Sequence, residues 1–262
     1  MKKVLCALFC AYAFTAATNS NASQSFFGNQ ADQMVSGARQ IVTSEFSPIP
    51  DLIVFDESKQ PAFGDPELWI RLTFKLDNDF GIKKLSAEND QIGFTHYRYQ
   101  QTFHGYPIDG TMWLVHVKNN KVVSMNGLLF NHIKSNGQRS LTESNALVKA
   151  LGFVHASSYK WENAEEESAL KQVMNDPSAS YYPKAELFYS HDSRNGKFDY
   201  KLSYRFDIYA NDPMSRHYVF VDANNGEITD VQDRIWEVNR TGTAVTAYAG
   251  IQPIVTDSTS DR

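Results

Sequence analysis

The stretch 93–128, GFTHYRYQQTFHGYPIDGTMWLVHVKNNKVVSMNGL, alternates in polarity along three short runs, and each break between them carries turn chemistry. Successive side chains of a strand point to opposite faces. Phe94, His96, Arg98, Gln100 and Thr102 therefore share one face of the first run, and Thr95, Tyr97, Tyr99, Gln101 and Phe103 share the other. His104 and Gly105 end that run. A second run, Thr111 to Val117, follows Asp109-Gly110, and a third, Lys121 to Leu128, follows Asn119-Asn120; these dipeptides accept the backbone of tight hairpins. The stretch predicts an antiparallel meander.

Upstream, Ala31, Met34, Val35, Ala38, Ile41 and Val42 recur at helical spacing, which predicts an amphipathic helix stopped by Pro48 and Pro50. Leu52 to Phe55 reads as a short strand and Glu57 to Gly64 as loop. Asp65-Pro66-Glu67 is a helix start, with a capping acceptor, proline in the first turn and a carboxylate near the positive helix end. The alternation of Ile70, Leu72, Phe74 and Leu76 opposes it, and the cap decides for a helix.

Downstream, the polar segment Asn131 to Arg139 contains Asn136-Gly137, the expected hinge between two modules. Ser140 and Glu143 form a capping-box pattern. Ala146, Leu147, Ala150 and Leu151 make a buried stripe, and Gly152 is expected to end that helix. A second helix is predicted from Glu165 to Met174, with Glu165-Glu166-Glu167 as a solvated first turn. Four strand-like runs follow, at 185–190, 198–210, 217–222 and 227–235, separated by Asn, Asp or Gly. The reading is an α+β protein of two modules, each a helix followed by an antiparallel β-meander.

With 262 residues, 42% hydrophobic and 13% aromatic, the chain has the composition of a folded protein. Its net charge of -5 and scattered Lys and Arg give no electrostatic footprint for nucleic acid. Lys2 and Lys3 precede an apolar run from Val4 to Ala17, the pattern of a secretory signal peptide over residues 1–22. Cleavage between Ala22 and Ser23 is preferred to cleavage after Ala17. Cys6 and Cys10 would leave with that segment, and no membrane association is expected afterwards.

The chemistry-bearing residues form no recognisable catalytic pattern. No two of the seven histidines have the i, i+4 spacing of a helical zinc site, and H-E-x-x-H, G-x-S-x-G, P-loop and dinucleotide motifs are absent. His96 and His116 fall on adjacent predicted strands and can face the same side, where hydrogen bonding within the sheet is favoured over metal binding. Gln100 and Gln101 read as a structural pair, and Gly105, Pro107 and Gly110 as turn residues. Tyr97, Tyr99 and Trp113 read as packing. No cofactor and no metal ligand are predicted.

The run Gly93 to Gln101, with Arg98 and the two glutamines, then Gly105-Tyr106-Pro107-Ile108-Asp109-Gly110 and His116-Val117, resembles the propeptide FTP domain of thermolysin-like and fungalysin-like zinc metallopeptidases. Residues 140–233 resemble the PepSY module that follows it, notably at Tyr218 to Asp222 and Gly226-Glu227. Thr241 to Gly250 looks like the opening strands of the peptidase domain. The resemblance implies a signal peptide at 1–22, an N-terminal helix and linker at 23–62, an FTP-like module at 63–130, a PepSY-like module at 136–233 and the start of a peptidase domain at 237–262.

In that family the peptidase domain supplies the zinc histidines and the catalytic glutamate, and these have no counterpart up to Arg262. What the resemblance implies is a secreted or periplasmic noncatalytic propeptide, an inhibitor and intramolecular chaperone of a thermolysin-like peptidase in cis or in trans. The alternative is an N-terminal fragment of an active zinc metalloendopeptidase precursor. A weaker third reading is a binding module for cell-envelope ligands. Pro213, Ser215 and Arg216, in an expected loop from Asp212, and the linker 236–241 are candidate peptidase contacts. Processing is expected between Glu237 and Thr241, around Asn239, where strand patterning lapses. Val245, Tyr248, Ile251 and Ile254 would lack the partners of a full peptidase domain, so a mobile tail is predicted.

Overall fold

Among the described residues, two large antiparallel sheets and a separate two-stranded one carry the chain. The computed structural model describes residues 22–135, 137–192, 197–235, 239–246 and 250–257. Residues 1–21 of the expected signal peptide, with Cys6 and Cys10, hinge residue Asn136, turn residues 193–196, and Trp236, Glu237 and Tyr248 lie outside the described residues, and Ala22 is exposed.

The first sheet begins with β1 (Ser25–Phe27), α1 (Asn29–Met34), β2 (Ala38–Val42) and β3 (Leu52–Phe55). After α2 (Pro66–Phe74) come β4 (Phe80–Asn89), β5 (Phe94–Phe103), β6 (Tyr106–Pro107), β7 (Met112–Lys118) and β8 (Lys121–Leu128). The strand order is β1-β2-β3-β8-β7-β5-β4, with β6 against β5. The meander over 93–128 is present, including the His104-Gly105 turn, whose residues hold φ of 47° and 84°.

The single helix expected from Ala31 to Val42 is corrected to a six-residue helix and a strand. Gly37 takes φ of 85°, and its N–H donates to the Asp32 carboxylate at 2.7 Å, which turns the chain. Ala38 and Ile41 then bury one side of β2 instead of continuing a helical stripe. Residues 23–62 are accordingly not a helix and linker, because β3 pairs with β8 and makes the segment part of the sheet. Sequence reading also passed over β4. Its register slips between Lys84 and Ser86, and such a bulge breaks the period-two pattern.

α2 forms where the cap predicts it: Asp65 accepts from the Leu68 N–H at 3.0 Å, and Lys75 closes the helix in the left-handed region. Losing such a cap costs about 1 kcal/mol, so Asp65→Ala is expected to lower stability by about that amount in urea unfolding. An unchanged midpoint would mean that packing of Trp69, Ile70 and Phe74 is enough to hold the helix.

The second module contains α3 (Glu143–Val154), β9 (Ser158–Tyr159), α4 (Ala164–Met174), β10 (Glu186–Asp192), β11 (Lys197–Asp212), β12 (Met214–Asp222) and β13 (Ile228–Asp233). The sheet runs β10-β11-β12-β13, with β9 beside β11. Helix α3 buries Ala146, Leu147 and Ala150. Its cap is Thr142 rather than Ser140, which instead bonds Asn224, and it runs through Gly152 to end at left-handed His155. The first turn of α4 is less solvated than expected: Glu166 pairs with Lys160, and Glu167 accepts from the Tyr181 N–H.

The expected hinge is tied to the second sheet, since the Tyr200 N–H donates to the Lys134 carbonyl and Arg139 Nε donates to the Tyr204 hydroxyl at 2.7 Å. One continuous apolar core joins both modules, from Ile41, Ile53 and Trp113 in the first to Tyr189, Tyr204 and Phe206 in the second. Past β13, β14 (Asn239–Thr246) pairs with β15 (Gly250–Asp257). The strand lapse expected at 237–241 thus lies earlier, because Asn239 and Thr241 are in β14, and the tail expected to be mobile contains a paired hairpin.

Candidate functional site

On β5 the inward residues Tyr99, Gln101 and Phe103 are buried, so the opposite register sends His96, Arg98 and Gln100 to the other face. His96 and His116 are direct cross-strand partners. Their Nδ1 atoms lie 2.6 Å apart, so one donates and the other accepts. His96 Nε2 meets Asp90 Oδ2 at 3.1 Å, and His116 Nε2 meets Asn126 Oδ1 at 2.7 Å. Asp90 also accepts from the N–H groups of Ile92 and Phe94, and the Phe94 bond is the main reason its carboxyl sits below the usual range. This row ties the β4–β5 turn to β5, β7 and β8. Arg98 ends its own reach on Glu88 at 2.7 Å. Among the described residues, no group of three or more His, Cys, Asp or Glu could hold a metal ion.

The glutamines have two different tasks. Gln101, fully buried, donates to the Phe130 carbonyl at 2.6 Å and accepts from the Phe130 N–H at 2.8 Å. Gln100 Nε2 donates to the Ile108 carbonyl and to Thr111 Oγ1, each at 2.8 Å. Pro107 sits in β6 opposite Thr102, and Gly110 takes φ of 75°. Together these residues shape the β5–β7 connection, which carries Ile108 and Asp109 to the second sheet.

At that seam Ile108 forms a parallel bridge with Tyr189, and the Asp109 N–H donates to the Tyr189 carbonyl at 2.8 Å. Phe103 and Tyr106 pack their rings on Tyr189, and Phe130 packs on Tyr200. Asp109 Oδ2 accepts from Gln232 Nε2 at 2.7 Å. Burial pushes the Asp109 carboxyl up, against the pull of Gln232 and Arg205. Burial also raises the Tyr200 hydroxyl to about 12, with help from the Asp109 charge.

Of Pro213, Ser215 and Arg216, only Pro213 is at a turn, and residues 236–238 of the candidate linker lie outside the described residues. Ser215 and Arg216 belong to β12, and Arg216 is engaged by Asp207 through two bonds of 3.0 and 2.8 Å. Arg234 bonds the same carboxylate. Beside it, Arg205 lies between the rings of Phe188 and Tyr218. Sequence reasoning missed Asp109, Asp207, Arg205 and Gln232. Asp207 and Arg216 meet diagonally across the β11–β12 hairpin, a contact hidden by the expectation of a loop at Arg216, and nothing in the spacing joins Asp109 to Gln232.

Residues 81–129 match the model of the Fungalysin/Thermolysin Propeptide Motif. Bacillolysin of Bacillus subtilis (strain 168) is 28% identical over 185 residues, which cover 69% of this chain and 32% of that protein. A zinc metalloproteinase of Listeria monocytogenes is 27% identical over 62% of this chain and 29% of its own length. The chain thus spans about a third of the length of these relatives. Among solved structures, the Bacillus megaterium YpeB C-terminal domain overlaps 80% of this chain and 89% of that one, at 10% identity and a TM-score of 0.31. The histidine row and both glutamines lie inside the matched motif, and the chain resembles the propeptide region of the thermolysin-like and fungalysin-like zinc metallopeptidases.

Proposed function

We propose that this chain is the noncatalytic propeptide of a secreted thermolysin-like metallopeptidase, acting as inhibitor and folding helper of the peptidase domain in cis or in trans. The observation that carries the reading is the propeptide motif at 81–129, set within an eight-stranded sheet that also recruits β1 to β3. Physically, a folded partner lowers the entropic cost of assembling a peptidase whose contacts are distant in sequence, and a docked surface closes its cleft to substrate. Pro213, Ser215 and Arg216, together with the linker 236–241, remain the proposed contacts, and Arg216 would meet a peptidase while paired with Asp207. Removal of the signal between Ala22 and Ser23 would leave a secreted or periplasmic protein. Release from the peptidase would follow cleavage between Glu237 and Thr241, near Asn239 at the start of β14.

Purified protein added in excess to a thermolysin-like peptidase is expected to slow it strongly and to raise its yield on refolding from denaturant. Full peptidase activity and an unchanged yield would overturn the proposal. A second reading, the front of an active zinc peptidase precursor, is favoured by the partial coverage of the relatives. An H-E-x-x-H codon run, in frame or frameshifted, shortly beyond Arg262 supports that reading, and its absence from the following DNA counts against it.

A further inference from the structure

The contact between the two sheets is mostly apolar, and one carboxylate is built into it. Asp109 projects from the β6–β7 connection of the first sheet and meets β13 of the second. There a single amide nitrogen, Gln232 Nε2, serves two carboxylates, Asp109 at 2.7 Å and Asp230 at 3.0 Å. Among the described residues, several groups act on Asp109. From β13 come Gln232 and the negative charge of Asp230; from β11 come the Arg205 guanidinium and the Tyr200 hydroxyl; from its own loop comes the Gly110 N–H. Arg205 is shared with Glu186 and held between Phe188 and Tyr218, so its charge is not dedicated to Asp109.

The geometry points to Asp109 and Gln232 as a proton-operated joint between the two sheets, closed when Asp109 carries a proton and loosened when it is ionised. Protonation removes the repulsion between Asp109 and Asp230 and turns one acceptor oxygen into a donor, while the other oxygen keeps the Gln232 bond. Ionisation places a charge beside the apolar packing of Ile108 and Tyr189. The sign follows from the carboxyl being raised in the folded chain. The closed seam binds the proton more tightly than the open one, so its stability is fully present at acid pH and declines as pH rises through the folded-state value.

Hydrogen exchange of the Asp109 amide, which donates to the Tyr189 carbonyl across the seam, reports the joint. The Ala223 amide, bonded to the Leu202 carbonyl within the second module, serves as reference. After correction for intrinsic exchange, protection at Asp109 is expected to fall with rising pH by up to about tenfold per pH unit, the limit for one proton. The reference amide should not share that fall. In Asp109→Asn the protection should stay flat across the same range, and in Asp230→Asn the fall should end at lower pH and be smaller in total. Three results would each overturn the joint: no pH course at Asp109 in the native chain, the native course persisting in Asp109→Asn, or a course left in place by Asp230→Asn.

Discussion

Gly127→Ala is expected to leave little folded protein under conditions in which the native chain is fully folded. Gly127 lies in β8 opposite Trp113 and holds φ of 135°. An added Cβ would stand 1.9 Å from the Met112 carbonyl oxygen and 2.9 Å from its carbon. These are backbone atoms of β7, so no rotamer change relieves the contact. Either β7 and β8 separate or the ladder between them breaks, next to Trp113 and Met125, both almost completely buried. Backbone conflicts of this kind belong to the large class of point-mutation effects, about 3 kcal/mol or more, against a total of about 5–15 kcal/mol for a domain. A urea midpoint within error of the native value would show that β7 can move away at no cost. Gly105 makes a useful comparison, because a Cβ there meets no atom within 4 Å and only the positive φ is strained.

The second large effect is expected at Gln101. Gln101→Leu keeps the volume and apolar packing but removes both halves of the clamp on Phe130, leaving that residue's N–H and carbonyl without the side chain that satisfies them. Each buried polar group left unpaired costs about 1–3 kcal/mol, so the variant should lose about 2–5 kcal/mol in urea unfolding. The Phe130 amide should also lose exchange protection well before its sheet neighbours. Native stability in the leucine variant would mean that the chain at Phe130 finds other partners. Phe130 lies at the exit of the first sheet and packs on Tyr200 of the second, so the same substitution should disturb the seam.

These two residues also mark what the sequence could disclose. The meander was legible because alternation and the turn dipeptides are local, and α2 was legible because Asp65 and Pro66 announce a helix start. The helix drawn through Ala31 to Val42 failed at Gly37, where a positive φ and the Asp32 bond override a periodicity that suits both states. β4 was hidden by its bulge. The pairing of His96 with His116 followed from register once the strands were placed. The bonds of Gln101 to Phe130 and of Asp109 to Gln232 join residues far apart in the chain, and no spacing rule encodes such contacts. The contact set Pro213, Ser215 and Arg216 came from an expected loop, whereas the long β11–β12 hairpin leaves only its tip as a turn.

The position of β8 between β7 and β3 bears on how the chain is made. Strands β1 to β3 leave the ribosome first, yet the edge of β3 is completed only by β8, the last strand of the propeptide motif. Until residue 128 has emerged, Ile41, Ile53 and Phe55 lack the neighbour that seals them in the finished sheet. Closing that long loop is slow relative to forming the local hairpin of β7 and β8. The early part of the chain must therefore be carried as an incomplete, adhesive piece during synthesis, and any pause between β3 and β8 lengthens its exposure to unwanted partners.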